Sequence, residues 1–389
     1  MVKKKEVKII NKSGKPYNVL LKEHRIIEKC QEIEAELPSF MRSFFVYLKG
    51  NVLPMSRLAY LRDIRFFCDY LIHETDLTQS ENIKQIKLSD FNKIKATDVN
   101  LFMEYCRRYK VETEKSIYIY KNENRSLARK KSSLSVLFKH LYREELVSKN
   151  ITDAFDPIKV PKPGEREIKA LQDDEVMRML DAVTTGTNLT KRERDFWEKT
   201  KYRDKAILIL FLTYGLRLSE LQQLNLSSFN FNRGEFKIYR KRAKESIMPL
   251  NQSVYKAVRD YIELERPQND DISEENRDAL FLSLQRRRMT GRQIRELVKK
   301  YTSVGLATSR DGGYSPHKLR ATTATSLIGR GNSIYDVQAL LDHENVTTTQ
   351  LYAAHKMNVK RDLIKNFEWE EDLIDVRDKD KDYKNKKNK

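Results

Sequence analysis

Four separated stretches of this chain gather side chains of the kinds that handle phosphate. YGLRLSEL holds Arg217 after an apolar run, with Gly215 as a break and Glu220 three residues on, placed to orient the guanidinium. A basic turn, RKRAK, centres on Lys241, with Arg240, Arg242 and Lys244 around it. SPHKLRATTA sets His317 and Arg320 three residues apart, on one helical face, with Lys318 between them. LLDHENVTTTQLYAAH sets His343 nine residues before Tyr352, with Thr347, Thr348 and Thr349 between. Arginine offers planar donors to phosphate oxygens, histidine and lysine can move protons, and tyrosine carries a hydroxyl. Taken singly, each has a plainer account. A lone Arg or Lys is commonly a surface charge, a lone His a structural residue, and a Tyr behind a threonine cap an ordinary packed ring. Three of the six histidines (His317, His343, His355) nevertheless fall within residues 317–355, beside Arg320 and Tyr352.

Elements able to position these residues are visible in the hydrophobic pattern. Residues 1–33 read as a polar, basic extension with a short helix over HRIIEKCQEIEAEL. In SRLAYLRDIRFFCDYLI, Leu58, Leu61, Ile64, Cys68 and Leu71 recur at helical spacing. Thr97 can cap a second helix burying Val99, Phe102, Met103 and Cys106. A third, RSLARKKSSLSVLFKHLYREEL, buries Leu134, Leu137, Phe138 and Leu141. Its first half presents Arg125, Arg129, Lys130 and Lys131 with Ser132 and Ser133, which reads either as a phosphate-binding surface or as a solvated face.

Three prolines and a glycine between Pro157 and Gly164 mark residues 156–168 as a linker, leaving an all-helical first domain over 34–155. Beyond it, residues 169–375 are mixed. LQDDEVMRMLDAV and DKAILILFLTYGL read as helices, and EFKIYRKRAKESIMPL as two short antiparallel strands around the basic turn. The charged insertion at 184–202 reads as a solvated loop, and the tail, 376–389, as disordered. The expected fold is therefore two-domain and mainly α, with a mixed α+β second domain holding a small sheet.

Bulk composition narrows the partner. With 75 Lys+Arg against 56 Asp+Glu the net charge is +19, which favours a polyanion, nucleic acid first and an anionic membrane surface second. No apolar run reaches the roughly 20 residues of a membrane span, and the opening MVKKKEVKIINKSGK lacks a signal-peptide core. Three scattered cysteines, Cys30, Cys68 and Cys106, argue for a reducing compartment, so a cytoplasmic location is expected. Neither a P-loop nor a carboxylate cluster with metal-ligand spacing is present, and no cofactor or metal is expected.

Taken together and in order, the four stretches resemble the tyrosine recombinases of the phage-integrase and Xer type. TYGLRLSEL is similar to the family's arginine box. IYRKRAKESIMPL resembles its strand–turn–strand lysine box, with Lys241 twenty-four residues after Arg217. SPHKLRATTATSL resembles the H-x-L-R box, and LLDHENVTTTQLY the box that carries the nucleophile. Three positions depart from the family pattern: Asp342 stands where Gly usually precedes the His, Ala321 where many members have a second His, and Arg242 where Gly commonly follows the lysine.

The resemblance implies a helical, SAM-like core-binding domain and a catalytic domain forming a C-shaped clamp on DNA. It implies attack of Tyr352 on a backbone phosphate, leaving a 3′-phosphotyrosine and a free 5′-hydroxyl. Arg217, Arg320, His317 and His343 would stabilise that phosphate, with Lys241 as general acid. Arg125, Arg129, Lys130, Lys131, Arg240, Arg242, Lys244 and Lys318 are the expected DNA contacts. The implied partners are a double-stranded recombination site, further copies in a homotetramer joined through the C-terminal segment (Leu363 to Ile374), and an accessory DNA-binding or regulatory protein, with no membrane. Strand exchange through a Holliday junction would serve Xer-type chromosome dimer resolution or mobile-element integration and excision. A type IB topoisomerase-like nicking-closing enzyme and a non-catalytic DNA-binding protein are the alternatives.

Overall fold

The computed structural model describes residues 14–114, 116–161, 169–240 and 244–342. Lys241, Arg242, His343, Tyr352 and the C-terminal segment lie outside these. The chain divides into two compact units, Met1–Pro161 and Lys162–Lys389, and each has its own apolar core.

The first unit contains α1 (Tyr17–Glu36), α2 (Arg42–Asn51), α3 (Pro54–His73), α4 (Leu88–Lys93), α5 (Ala96–Arg107) and α6 (Asn124–Arg143). The apolar stripes expected of α3, α5 and α6 all face one core, where Phe67 meets Phe102 edge-on at 5.0 Å between ring centres. Three expectations change. α1 begins at Tyr17, and Cys30 and Ile33 are buried in this core, so the core-forming chain starts before residue 34. α5 begins at Ala96 rather than after a Thr97 cap, because the Asp98 carboxylate accepts from the Lys95 amide at 2.7 Å. The unit is also not all-helical: β1 (Arg108–Thr113) and β2 (Ser116–Lys121) pair as an antiparallel hairpin, Arg108 opposite Lys121.

The second unit is built around α9 (Lys201–Tyr214), whose sequence is apolar on nearly every side. Ala206, Ile207, Leu208, Leu210 and Phe211 are all buried, as befits a helix packed on several neighbours at once. α7 (Asp173–Thr185), α11 (Gln252–Leu264) and α13 (Pro316–Gly329) surround it. A three-stranded antiparallel sheet runs β3 (Phe229–Asn230), β4 (Glu235–Tyr239), β5 (Glu245–Pro249), with Phe236 opposite Met248 and both facing the core. The basic turn therefore lies between β4 and β5, as the strand pattern predicts. α12 (Gly291–Gly305) precedes α13 in the chain, and α14 (Ile334–Leu341) follows it.

The insertion at 184–202 is not a solvated loop. It holds α8 (Lys191–Trp197), opened by Thr190 and Glu193 capping one another. Trp197 is buried, its indole N–H donating to Val183 O at 2.8 Å. Arg310 binds the Glu193 carboxylate through Nε at 2.7 Å and Nη2 at 2.8 Å, so the insertion is fastened as well as packed.

Candidate active site

Gly215 ends α9 in the left-handed conformation, φ +56°. A Cβ there would stand 2.6 Å from Leu341 Cδ2, so glycine is required both by the backbone and by the close approach of α14. The chain turns at this point into α10 (Leu218–Gln222), and Arg217 is the residue before its first turn. Glu220, 2% exposed, accepts from the Arg217 amide and from Arg217 Nη1, both at 2.8 Å. One buried carboxylate thus fixes both the backbone and the guanidinium of Arg217.

α13 opens with Pro316 at its first position, where a missing N–H costs nothing. His317 is exposed in that first turn; one turn further on, Arg320 is 3% exposed. The helix can bury polar residues because they are spent on backbone. Thr323 donates towards Phe211 O at 3.0 Å, and Thr322 Oγ1 accepts from the Leu171 amide at 2.9 Å. Arg320 reaches Gly215 O at 2.5 Å through Nη1 and Leu341 O through Nη2.

These contacts converge on the C-terminal end of α14. Arg240 donates to Leu340 O at 2.8 Å, Arg320 to Leu341 O, and Arg217 to Asp342 O at 3.0 Å. Three arginines from three separate stretches therefore grip three successive carbonyls. The last turn of a helix carries unpaired carbonyls and the negative end of its dipole, so guanidinium groups are well placed there. The residue that follows Asp342 in sequence is His343. An arrangement that concentrates cationic donors in this way, partly shielded from water, suits stabilisation of a phosphate during transfer.

Asp342 adopts the left-handed conformation, φ 51° and ψ 52°, as the residue that closes α14. Its carboxylate accepts from Lys244 Nζ at 3.2 Å. Burial alone would raise its pKa, but Lys244, Arg240 and Arg217 outweigh that and hold it below the ordinary value.

Some expected DNA contacts are placed otherwise. Lys130 is 8% exposed and binds the buried Asp63 at 3.4 Å, a carboxylate that also takes hydrogen bonds from Arg129 and, at 2.8 Å, from Ser133. Asp63 needs these partners because a buried carboxylate is costly alone. Lys131 donates to Phe155 O and Asp156 O, at 3.2 and 2.6 Å. On α6, Arg125 and Arg129 are exposed. Arg240 also faces inward, 6% exposed, whereas Lys244 is exposed. Nothing in residue type or spacing marks Asp63 or Asp342 as partners of these cations. For Asp342, its place where the resembling family has glycine was the available signal.

Among known proteins, a model of the phage integrase family matches residues 169–358. The chain is 33% identical over 281 residues to a tyrosine recombinase XerC of Natranaerobius thermophilus, covering 71% of this chain and 84% of that one. It is 28% identical over 294 residues to a tyrosine recombinase XerD of Staphylococcus epidermidis, covering 76% and 85%. Among solved structures, a XerH site-specific recombinase bound to a palindromic difH substrate shares the fold with a TM-score of 0.55 at 14% identity, over 92% of this chain and 90% of that one. A Tn1549 transposon integrase in complex with circular intermediate DNA gives 0.53 at 20% identity, over 86% and 98%.

Proposed function

Because this chain belongs to the phage integrase family and is a tyrosine-type site-specific recombinase, we propose that Tyr352 is its nucleophile and that Arg217, Arg320, His317, His343 and Lys241 serve the reaction. The carrying observation is the meeting of Arg217 and Arg320 on Asp342 O and Leu341 O, directly before His343 in sequence. A phenol with a pKa of about 10 is a weak nucleophile at neutral pH and needs a cationic field. Tyr352 attacks the phosphorus, the bond to the 5′-oxygen breaks, and Lys241 protonates the departing oxygen. The arginines neutralise charge on the non-bridging oxygens, and the histidines donate to the phosphate or carry the phenolic proton.

Double-stranded DNA is the proposed substrate, with exposed Arg125 and Arg129, and Lys318 and Lys244, contacting its backbone. We propose further that strands are exchanged through a Holliday junction within a tetramer, and that the role is of the Xer type. The match along 84% of a XerC is the observation on which the Xer-type reading rests.

The test uses nicked duplexes of randomised sequence and looks for a protein–DNA adduct that survives denaturation. Wild type is expected to capture a subset covalently, whereas Tyr352→Phe binds that subset and forms no adduct. Tight binding by wild type without any adduct would sink the reading, and an adduct in Tyr352→Phe would show the nucleophile to be another residue.

A further inference from the structure

The turn between β4 and β5 is tied to the end of α14 from both sides. Arg240 closes the turn, its amide donating to Lys244 O at 2.9 Å. Its side chain then runs inward, with Nη2 on Leu340 O at 2.8 Å and 3.7 Å from Met248 Sδ. From the far side of the turn, Lys244 reaches the Asp342 carboxylate at 3.2 Å. The two residues that flank 241–243 therefore each hold the last turn of α14, just ahead of His343.

Arg240 is a costly way to fill this space. Its Nε and Nη1 are buried and have no hydrogen-bond partner among the described residues. A buried guanidinium is costly until partners compensate it. Burial weakens its hold on the proton, Glu220 and Asp342 strengthen it, and Arg217 weakens it again, so the group sits inside the charge cluster of the site. An apolar side chain would fill the volume without that cost. What it would lack is a donor for Leu340 O.

We propose that Arg240 is a positioning residue for strand cleavage: through Leu340 O it sets where the chain leaves α14 towards Tyr352, while its own backbone anchors the turn that carries Lys241. The inference rests on Tyr352 as nucleophile and Lys241 as general acid. It concerns geometry, and so predicts a loss in rate rather than in affinity.

The experiment uses the full chain and the duplexes that wild type captures covalently. Each is made with oxygen or with sulfur at the 5′-bridging position of the scissile phosphate. A thiolate leaves without a proton, so sulfur relieves the need for a general acid. At saturating DNA, Arg240→Met is expected to form adduct slower than wild type by about tenfold or more, as misplacement of a reacting group does. Its DNA affinity should stay within about twofold, since no phosphate contact is lost. Sulfur should restore Lys241→Ala and leave Arg240→Met slow. Arg240→Lys, which keeps one donor for Leu340 O, should recover part of the rate and serves as the readout if Arg240→Met melts early.

Wild-type rates in both Arg240 variants would overturn the proposal. So would full rescue of Arg240→Met by sulfur, which would place its effect on Lys241 alone, or a loss of affinity that accounts for the slower adduct. Tyr352→Phe run alongside separates the two levels: an adduct there overturns the reading beneath the inference, and not the inference only.

Discussion

At the scale of single residues, Asp342 carries two opposed effects. A left-handed residue other than glycine costs about 1–2 kcal/mol, somewhat less for Asp. Its half-exposed pair with Lys244 contributes about 0–1 kcal/mol. Asp342→Gly should therefore leave thermal stability unchanged or raise it slightly, and should release Lys244 to bind DNA phosphate. Melting and DNA affinity measured together check this, and a weaker affinity would contradict it. Arg217 calls for a gentler change, because alanine would strand the buried Glu220. Arg217→Lys keeps a cation beside that carboxylate but loses the planar fork, so adduct formation should fall far more than affinity. That Arg217 and Glu220 would pair was legible from type and spacing alone. The inward turn of Arg240 was not legible, because in RKRAK nothing in the residue types sets one arginine apart from the next, and only the fold decides which way it points.

At the scale of elements, α8 is pinned by an acid–base pair whose strength depends on pH. Hydrogen bonds from Arg310, against an opposing effect of burial, hold the Glu193 carboxyl down to about 2 from an ordinary 4.5. A depressed carboxyl stabilises the fold fully above its unfolded value and loses that contribution as pH falls from about 4.5 towards about 2. Glu193→Gln should thus melt below wild type at pH 7, and the two melting temperatures should converge as the pH is lowered through that window. A gap that stays constant would mean the carboxylate charge is not what fastens α8. Element type was readable where one apolar face repeats, as in α3, α5 and α6. It was not readable for β1 and β2, where Val111, Ile117, Tyr118, Ile119 and Tyr120 are exposed and no buried stripe marks either strand. In α8 the capping pair Thr190 and Glu193 was present, but the surrounding charge masked a helix that buries chiefly one tryptophan.

At the scale of the whole molecule, the surplus of +19 sets how binding responds to salt. Each phosphate neutralised releases counterions, so affinity should fall steeply as salt rises, with a logarithmic slope of roughly −0.9 per contact. Lys318→Ala should make that slope shallower by about one contact, whereas Lys130→Ala should leave it unchanged and lower stability, because Lys130 serves Asp63. A shallower slope in Lys130→Ala would return that residue to the DNA surface. The gathering of arginines at the end of α14 has a last consequence. Several like charges crowded together would repel one another in a protein waiting for its substrate, and would draw in whatever small anion the solution offered. Here the opposing charge and dipoles belong to the protein itself: the Glu220 and Asp342 carboxylates and the carbonyls of Leu340, Leu341 and Asp342 face the arginines, so the cations are held by groups of the same fold.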